Sequence, residues 1–101
     1  MIALHKTAVL SRTIQSGEGV MIGPRVIVNS GTAIGHGVIL QSGCIVEHQC
    51  IVGDYVHIGA GAVIGAGAQI GDNCVIGAGA VVAVGIRLEA GRVLEVGEIV
   101  R

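Results

Sequence analysis

Residues 58–82 read IGAGAVIGAGAQIGDNCVIGAGAVV, and an aliphatic side chain returns in them every six positions, at Ile58, Ile64, Ile70, Ile76 and Val82. Carried toward the N-terminus, the same step meets Leu4, Leu10, Ser16, Ile22, Val28, Ile34, Leu40, Val46 and Val52; carried onward, it meets Leu88, Leu94 and Val100. Sixteen of these 17 positions are Ile, Leu or Val, and only Ser16 breaks the series. A helical period near 3.6 would not give this spacing, and neither would a plain alternation. The residue four after each aliphatic is mostly small or apolar, as at Val38, Cys44, Cys50, Ala62 and Ala68. It lies two before the next aliphatic, so on a short strand the two side chains point to one face.

All 18 glycines fall in two columns, eight directly after the aliphatic and ten three after it. Glycine reaches positive φ and lets backbone approach backbone closely. A bend every six residues therefore makes the chain a coil of short parallel strands, whose core exists only by stacking. Each buried aliphatic contributes about 1.5–3 kcal/mol.

The composition agrees. At 101 residues the chain is one domain, with 51% apolar residues but no Phe, no Trp and one Tyr. Its interior is thus filled by aliphatic and small side chains. Net charge is −1 without a basic cluster, which argues against nucleic acid and against an anionic membrane surface. No apolar run approaches the ~20 residues of a membrane-spanning helix. The opening MIALHKTAV lacks a secretory layout. Cys44, Cys50 and Cys74 form no CxxC pair and fall in the inward column, as core thiols of a cytoplasmic protein would.

One block departs from the pattern. Within residues 41–58, Gln41 and Glu47 replace the first glycine of the hexad, and Gln49 and Tyr55 replace the second. A rule kept over most of the chain and broken in both columns within one block marks a candidate site; a solvated bend that tolerates any polar residue accounts for it equally. The block holds His48 at a bend and His57 just before an aliphatic, both directed outward. His5 and His36 read as solvated side chains, and Asp54 and Asp72 as bend residues favoured by local hydrogen bonds.

The tandem [LIV]-G-x-x-[AVCT]-x hexads resemble those of the hexapeptide-repeat acyltransferases. That resemblance implies an all-β fold, a single-stranded left-handed parallel β-helix with three hexads in each triangular coil. About 5.5 coils at ~4.8 Å each give a prism ~27 Å tall. One domain is expected over residues 1–101. Residues 86–101 are expected to form a capping or irregular coil, because Arg92 and Glu98 occupy inward slots where an unpaired charge is costly.

Residues 29–58, NSGTAIGHGVILQSGCIVEHQCIVGDYVHI, are similar to the sugar O- and N-acetyltransferases of the sialic acid and bacillosamine-pathway type. That subfamily carries E-H-[DE]-C-x-I-G-[DE]-x-x-H-I, matched here from Glu47 to Ile58. The resemblance implies acetyl-CoA as co-substrate, a sugar acceptor and a homotrimer with sites between neighbouring prisms. It makes His48 the general base and His57 an acetyl-CoA contact, the two serving one site from different subunits. An imidazole suits proton removal from an attacking amine or hydroxyl at neutral pH. The developing oxyanion needs an N–H donor, and Ala66, one coil above His48, is the candidate. The pantetheine arm is expected to pass Ala66 and Ala78.

Three departures stand out. The acidic residue after the base is Gln49, leaving Glu47 as the only nearby carboxylate. The subfamily's proline after the second histidine is absent, and its VxPG turn reads Val82-Ala83-Val84-Gly85. The upstream nucleotide-sugar-binding domain common in the subfamily is not in this chain. A trimeric structural module without activity is therefore the alternative. A zinc enzyme would need three or more N, S or O ligands, and the intersubunit histidine spacing of such prisms is not matched, so no metal is expected.

Overall fold

The computed structural model describes residues 2–101. The chain runs through β1 (Ile2–Leu4), β2 (Val9–Leu10), β3 (Gln15–Ser16), β4 (Val20–Ile22), β5 (Ile27–Val28) and β6 (Ala33–Ile34). It continues through β7 (Ile39–Leu40), β8 (Ile45–Val46), β9 (Ile51–Val52), β10 (His57–Ile58), β11 (Val63–Ile64) and β12 (Gln69–Ile70). The last strands are β13 (Val75–Ile76), β14 (Val81–Val82), β15 (Arg87–Leu88), β16 (Val93–Leu94) and β17 (Ile99–Val100).

Every pairing is parallel and joins a residue to the one 18 further on, as Val63 to Val81 and His57 to Val75. Three hexads therefore make one coil. The strands sort into three sheets: a first face (β1, β4, β7, β10, β13, β16), a second (β2, β5, β8, β11, β14, β17) and a third (β3, β6, β9, β12, β15). The fold is the left-handed parallel β-helix that the family resemblance implies, a prism of 30 × 20 × 19 Å.

Each coil turns its aliphatic and small columns inward. From Val20 to Leu94 both are buried almost without interruption, and Thr32 is the one polar side chain among the buried residues described. Cys44, Cys50 and Cys74 are free and buried. Loss of solvent pushes the Cys44 thiol up to about 12 and raises that of Cys50 as well.

The two glycine columns do different work. The ten that lie three after the aliphatic all have left-handed backbone, with φ between 65 and 77°. The eight that follow the aliphatic directly do not. Their need is space: a Cβ on Gly59 would come within 2.6 Å of the Ala78 nitrogen, and one on Gly65 within 2.6 Å of the Val84 nitrogen. These glycines let successive coils touch at the corners.

Residues 87–101 continue the ladder, with β15, β16 and β17 paired in register to the coil beneath. Leu88 and Leu94 are buried. Arg92 is exposed at this open end, and Glu98 uses its carboxylate to accept the Glu95 N–H at 2.8 Å. Their charges sit beyond the closed core, so the inward slots of the last coil carry no unpaired buried ion.

The outward columns differ between faces. On the second face Val9, Ile27, Ile45, Val63, Val81 and Ile99 stack without a polar residue. On the first face Ala3, Met21, Ile39, Val75 and Val93 stack, with His57 among them. The third face has Gln15, Gln69 and Arg87 in its column.

Candidate active site

The corner between the second and third faces is built by residues 29–32, 47–50, 65–68 and 83–86, stacked one coil apart. It gathers Glu47, His48, Gln49 and Ala66. His48 is exposed at the tip, and its ring makes no hydrogen bond to any described residue. Its backbone is held firmly: the His48 carbonyl accepts the Gly67 N–H at 3.0 Å, and the Cys50 thiol two residues on donates to the Gly65 carbonyl at 3.2 Å. Next to it, the Glu47 carbonyl accepts the buried Thr32 hydroxyl at 2.9 Å. The imidazole is thus free while its attachment point is fixed from inside the prism.

Ala66 lies directly over His48 at the same tip, and among the described residues its N–H has no hydrogen-bond partner. The contrast with the corner between the third and first faces is informative. There three successive N–H groups are taken by the side chain one coil further on: Glu18 N–H by His36 Nδ1 at 2.9 Å, His36 N–H by Asp54 Oδ1 at 2.8 Å, and Asp54 N–H by Asp72 Oδ1 at 2.8 Å. His36, Asp54 and Asp72 are therefore links between coils rather than solvated or locally bonded bend residues. At the His48 corner the Ala66 N–H meets no such acceptor because the residue 18 further on is Val84.

The polar neighbours of His48 are turned away from it. Glu47 Oε1 accepts the Asn29 amide at 2.9 Å, one coil toward the N-terminus. Gln49 has φ 60° and lays its amide over Gly31, in the space a Cβ there would fill. Within the chain, His48 thus has neither carboxylate nor amide as a partner. Asn29 and Thr32 were not among the sequence-derived site residues. Both lie close beneath the site because they are 18 and 15 residues before Glu47.

His57 and Ala78 stand elsewhere. His57 is exposed on β10 in the middle of the first face, which is the face opposite the His48 corner. Ala78 sits where the first and second faces meet, against Gly59, two residues beyond His57. The buried core separates this pair from His48. His48 and His57 therefore stand at nearly the same height on opposite sides of the prism. No group of three or more His, Cys, Asp or Glu side chains able to hold a metal occurs among the described residues. Nor do these residues include a helix long and apolar enough to cross a membrane.

Family models match along the repeat: bacterial transferase hexapeptide (six repeats) at residues 34–66 and 49–83, and hexapeptide repeat of succinyl-transferase at residues 17–48 and 67–100. No curated protein matches the chain. Among solved structures similar to it is PerB from Caulobacter crescentus in complex with CoA and GDP-perosamine. It is 31% identical, with a TM-score of 0.98 over 99% of this chain and 48% of its own. The acetyltransferase domain of PglB from Neisseria gonorrhoeae is 26% identical, with a TM-score of 0.99 over 100% of this chain and 49% of its own. The complex of that domain with acetyl coenzyme A is 27% identical, with a TM-score of 0.78 over 97% of this chain and 53% of its own. The chain thus spans about half the length of these structures.

Proposed function

This chain belongs to the bacterial hexapeptide-repeat transferases, and from that premise we propose that it transfers acetyl from acetyl-CoA to an amino or hydroxyl group of a sugar. The observation that carries the reading is the His48 corner. An unengaged imidazole stands one coil below an unpartnered Ala66 N–H, on backbone fixed by Thr32 and Gly67. In the reaction His48 takes the proton of the attacking amine or hydroxyl as its lone pair reaches the thioester carbon. The Ala66 N–H stabilises the oxygen that becomes negative. Collapse of the tetrahedral intermediate expels the CoA thiolate and leaves acetyl on the acceptor.

The site is completed by a second copy of the chain. The first and second faces are both apolar outside and meet at one corner, so a closed ring packs the second face of one prism on the first face of the next. Such head-to-tail contacts generate cyclic oligomers, here a homotrimer. The outer edge of the second face is the His48 corner, and the first face carries His57. Each junction therefore pairs His48 of one subunit with His57 of another, with the pantetheine arm running past Ala66; Ala78, at the corner where the two apolar faces meet, points to the centre of this ring instead. Three free thiols fit a reducing cytoplasmic setting.

Calorimetric titration of acetyl-CoA into the protein tests this directly. Binding that weakens in His57→Ala, with turnover falling at least about a hundredfold in His48→Ala, is the expected result. Turnover that survives His48→Ala would end the mechanism. A second reading, a trimeric scaffold without activity, is favoured by one observation: Glu47 is bonded to Asn29 and Gln49 is folded over Gly31, so the base has no partner to raise its basicity. Absence of any acetyl-CoA binding would decide for the scaffold.

A further inference from the structure

Four non-glycine residues adopt left-handed backbone, and Tyr55 is the bulkiest of them, at φ 57°. A large side chain in this region is a true outlier, and at ten corners the chain uses glycine instead. The aromatic ring contributes little to the fold in return. It is 61% exposed, and its hydroxyl bonds to no described residue. One side of the ring rests on Gly37, where a Cβ would collide with Cδ1 and Cε1. Gly37 thus leaves a seat for the ring, and the opposite ring face looks into solvent.

The position of this ring is specific. Tyr55 is at the corner between the third and first faces, two residues before His57, so both belong to the same half-site. The ring is turned toward the N-terminal coil, on Gly37, whereas Ala66 and Ala78 lie toward the C-terminal coils. Across the subunit junction, Gln49 is turned the same way, onto Gly31. The N-terminal side of the histidines is therefore flanked by one flat apolar ring and one primary amide.

We propose that Tyr55 is the platform for the acceptor, stacking its free ring face on the C–H face of the acceptor's sugar ring, while the coenzyme lies on the C-terminal side of His57. The inference rests on the acetyltransferase reading above. An aromatic ring gives a flat apolar contact at low conformational cost, and a sugar ring offers a matching patch of C–H groups. The Gln49 amide, with donors and acceptors on one group, faces the hydroxyls that such stacking leaves at the ring edge. Tyr55 positions the acceptor and takes no proton.

The test is steady-state acetyl transfer by the full chain, with GDP-perosamine, glucosamine and galactosamine each supplied as acceptor, in wild type, Tyr55→Gly and Tyr55→Phe. In Tyr55→Gly the acceptor KM should rise about fivefold or more. The acetyl-CoA KM should stay unchanged, and thermal stability should not fall, since glycine takes this left-handed backbone without strain and fills ten positions of the column. Tyr55→Phe should restore the acceptor KM to within about twofold, because the ring face is kept. An acceptor KM unchanged in Tyr55→Gly, or one that rises together with the acetyl-CoA KM, would overturn the proposal and leave the transferase intact. A wild-type chain that binds acetyl-CoA and acetylates none of the three would remove the sugar-transferase reading, and this proposal with it.

Discussion

Gly65→Ala and Gly67→Ala, two residues apart at the His48 corner, should behave in an order that backbone angles alone would reverse. Gly67 has φ 71° with nothing within 4 Å of a Cβ there. Its alanine variant bears the left-handed strain of about 1–2 kcal/mol, offset by about 0.4–1 kcal/mol from a less flexible unfolded chain. The net loss is about 1 kcal/mol, or roughly 4–8 °C in Tm for a domain of this size. Gly65 has an angle that alanine tolerates, but its Cβ would meet the Val84 nitrogen at 2.6 Å, the Ala83 carbonyl carbon at 2.7 Å and the Val82 oxygen at 2.8 Å. These are backbone atoms of the next coil and have no rotamer to move aside. Relief requires the coils to part beside the Gly65–Val82 hydrogen bond of 2.7 Å. Overpacking of this kind costs about 3 kcal/mol or more, lowering Tm by roughly 12–24 °C. Thermal unfolding followed by circular dichroism measures both. A Gly67→Ala loss equal to or larger than that of Gly65→Ala would refute the assignment of the first glycine column to coil-to-coil contact.

Other outcomes follow from the same contacts. Thr32→Val should cost about 1–3 kcal/mol, because the Glu47 carbonyl loses its only internal donor; Thr32→Ser should recover most of it, as equilibrium unfolding would reveal. Cys44 should make stability fall at alkaline pH. Its folded thiol titrates near 12 against an ordinary 9.0, so above 9.0 the unfolded chain releases a proton that the folded chain retains. The sign is a loss of up to ~1.4 kcal/mol for each pH unit in that window, and Cys44→Ala should flatten the slope measured between pH 9 and 11. In the same buried state Cys44 should resist iodoacetamide at pH 8 until the protein unfolds, as mass spectrometry of the alkylated protein would record.

The six-residue spacing made the strands, the inward columns and the bends legible, because each is a local property of the hexad. The consequences of stacking were not, because they depend on which residues lie 18 apart. Asn29 bonds Glu47 at 2.9 Å only because three hexads close a coil, a pairing that no local pattern announces. Thr32 stands in the inward column of small residues, and its hydroxyl is the donor that fixes the Glu47 carbonyl. The glycine columns looked alike as flexible bends, whereas one column answers to backbone angle and the other to space. Asp54 and Asp72 were read as bend residues with local bonds, yet each caps the coil beneath. The histidines at 48 and 57 were legible from the motif. That they occupy opposite sides of one prism is visible only in the sheet order.

Mixing subunits measures the central claim, a site shared between two chains, most directly. His48→Ala and His57→Ala proteins, each inactive alone, would be unfolded, combined in equal amounts and refolded together, and acetyl transfer to GDP-perosamine then followed. In a cyclic trimer every mixed assembly contains one junction where an intact His48 faces an intact His57, so random mixing should restore about a quarter of wild-type activity. A mixture as inactive as its two components, under conditions where wild-type protein refolds to full activity, would contradict the account.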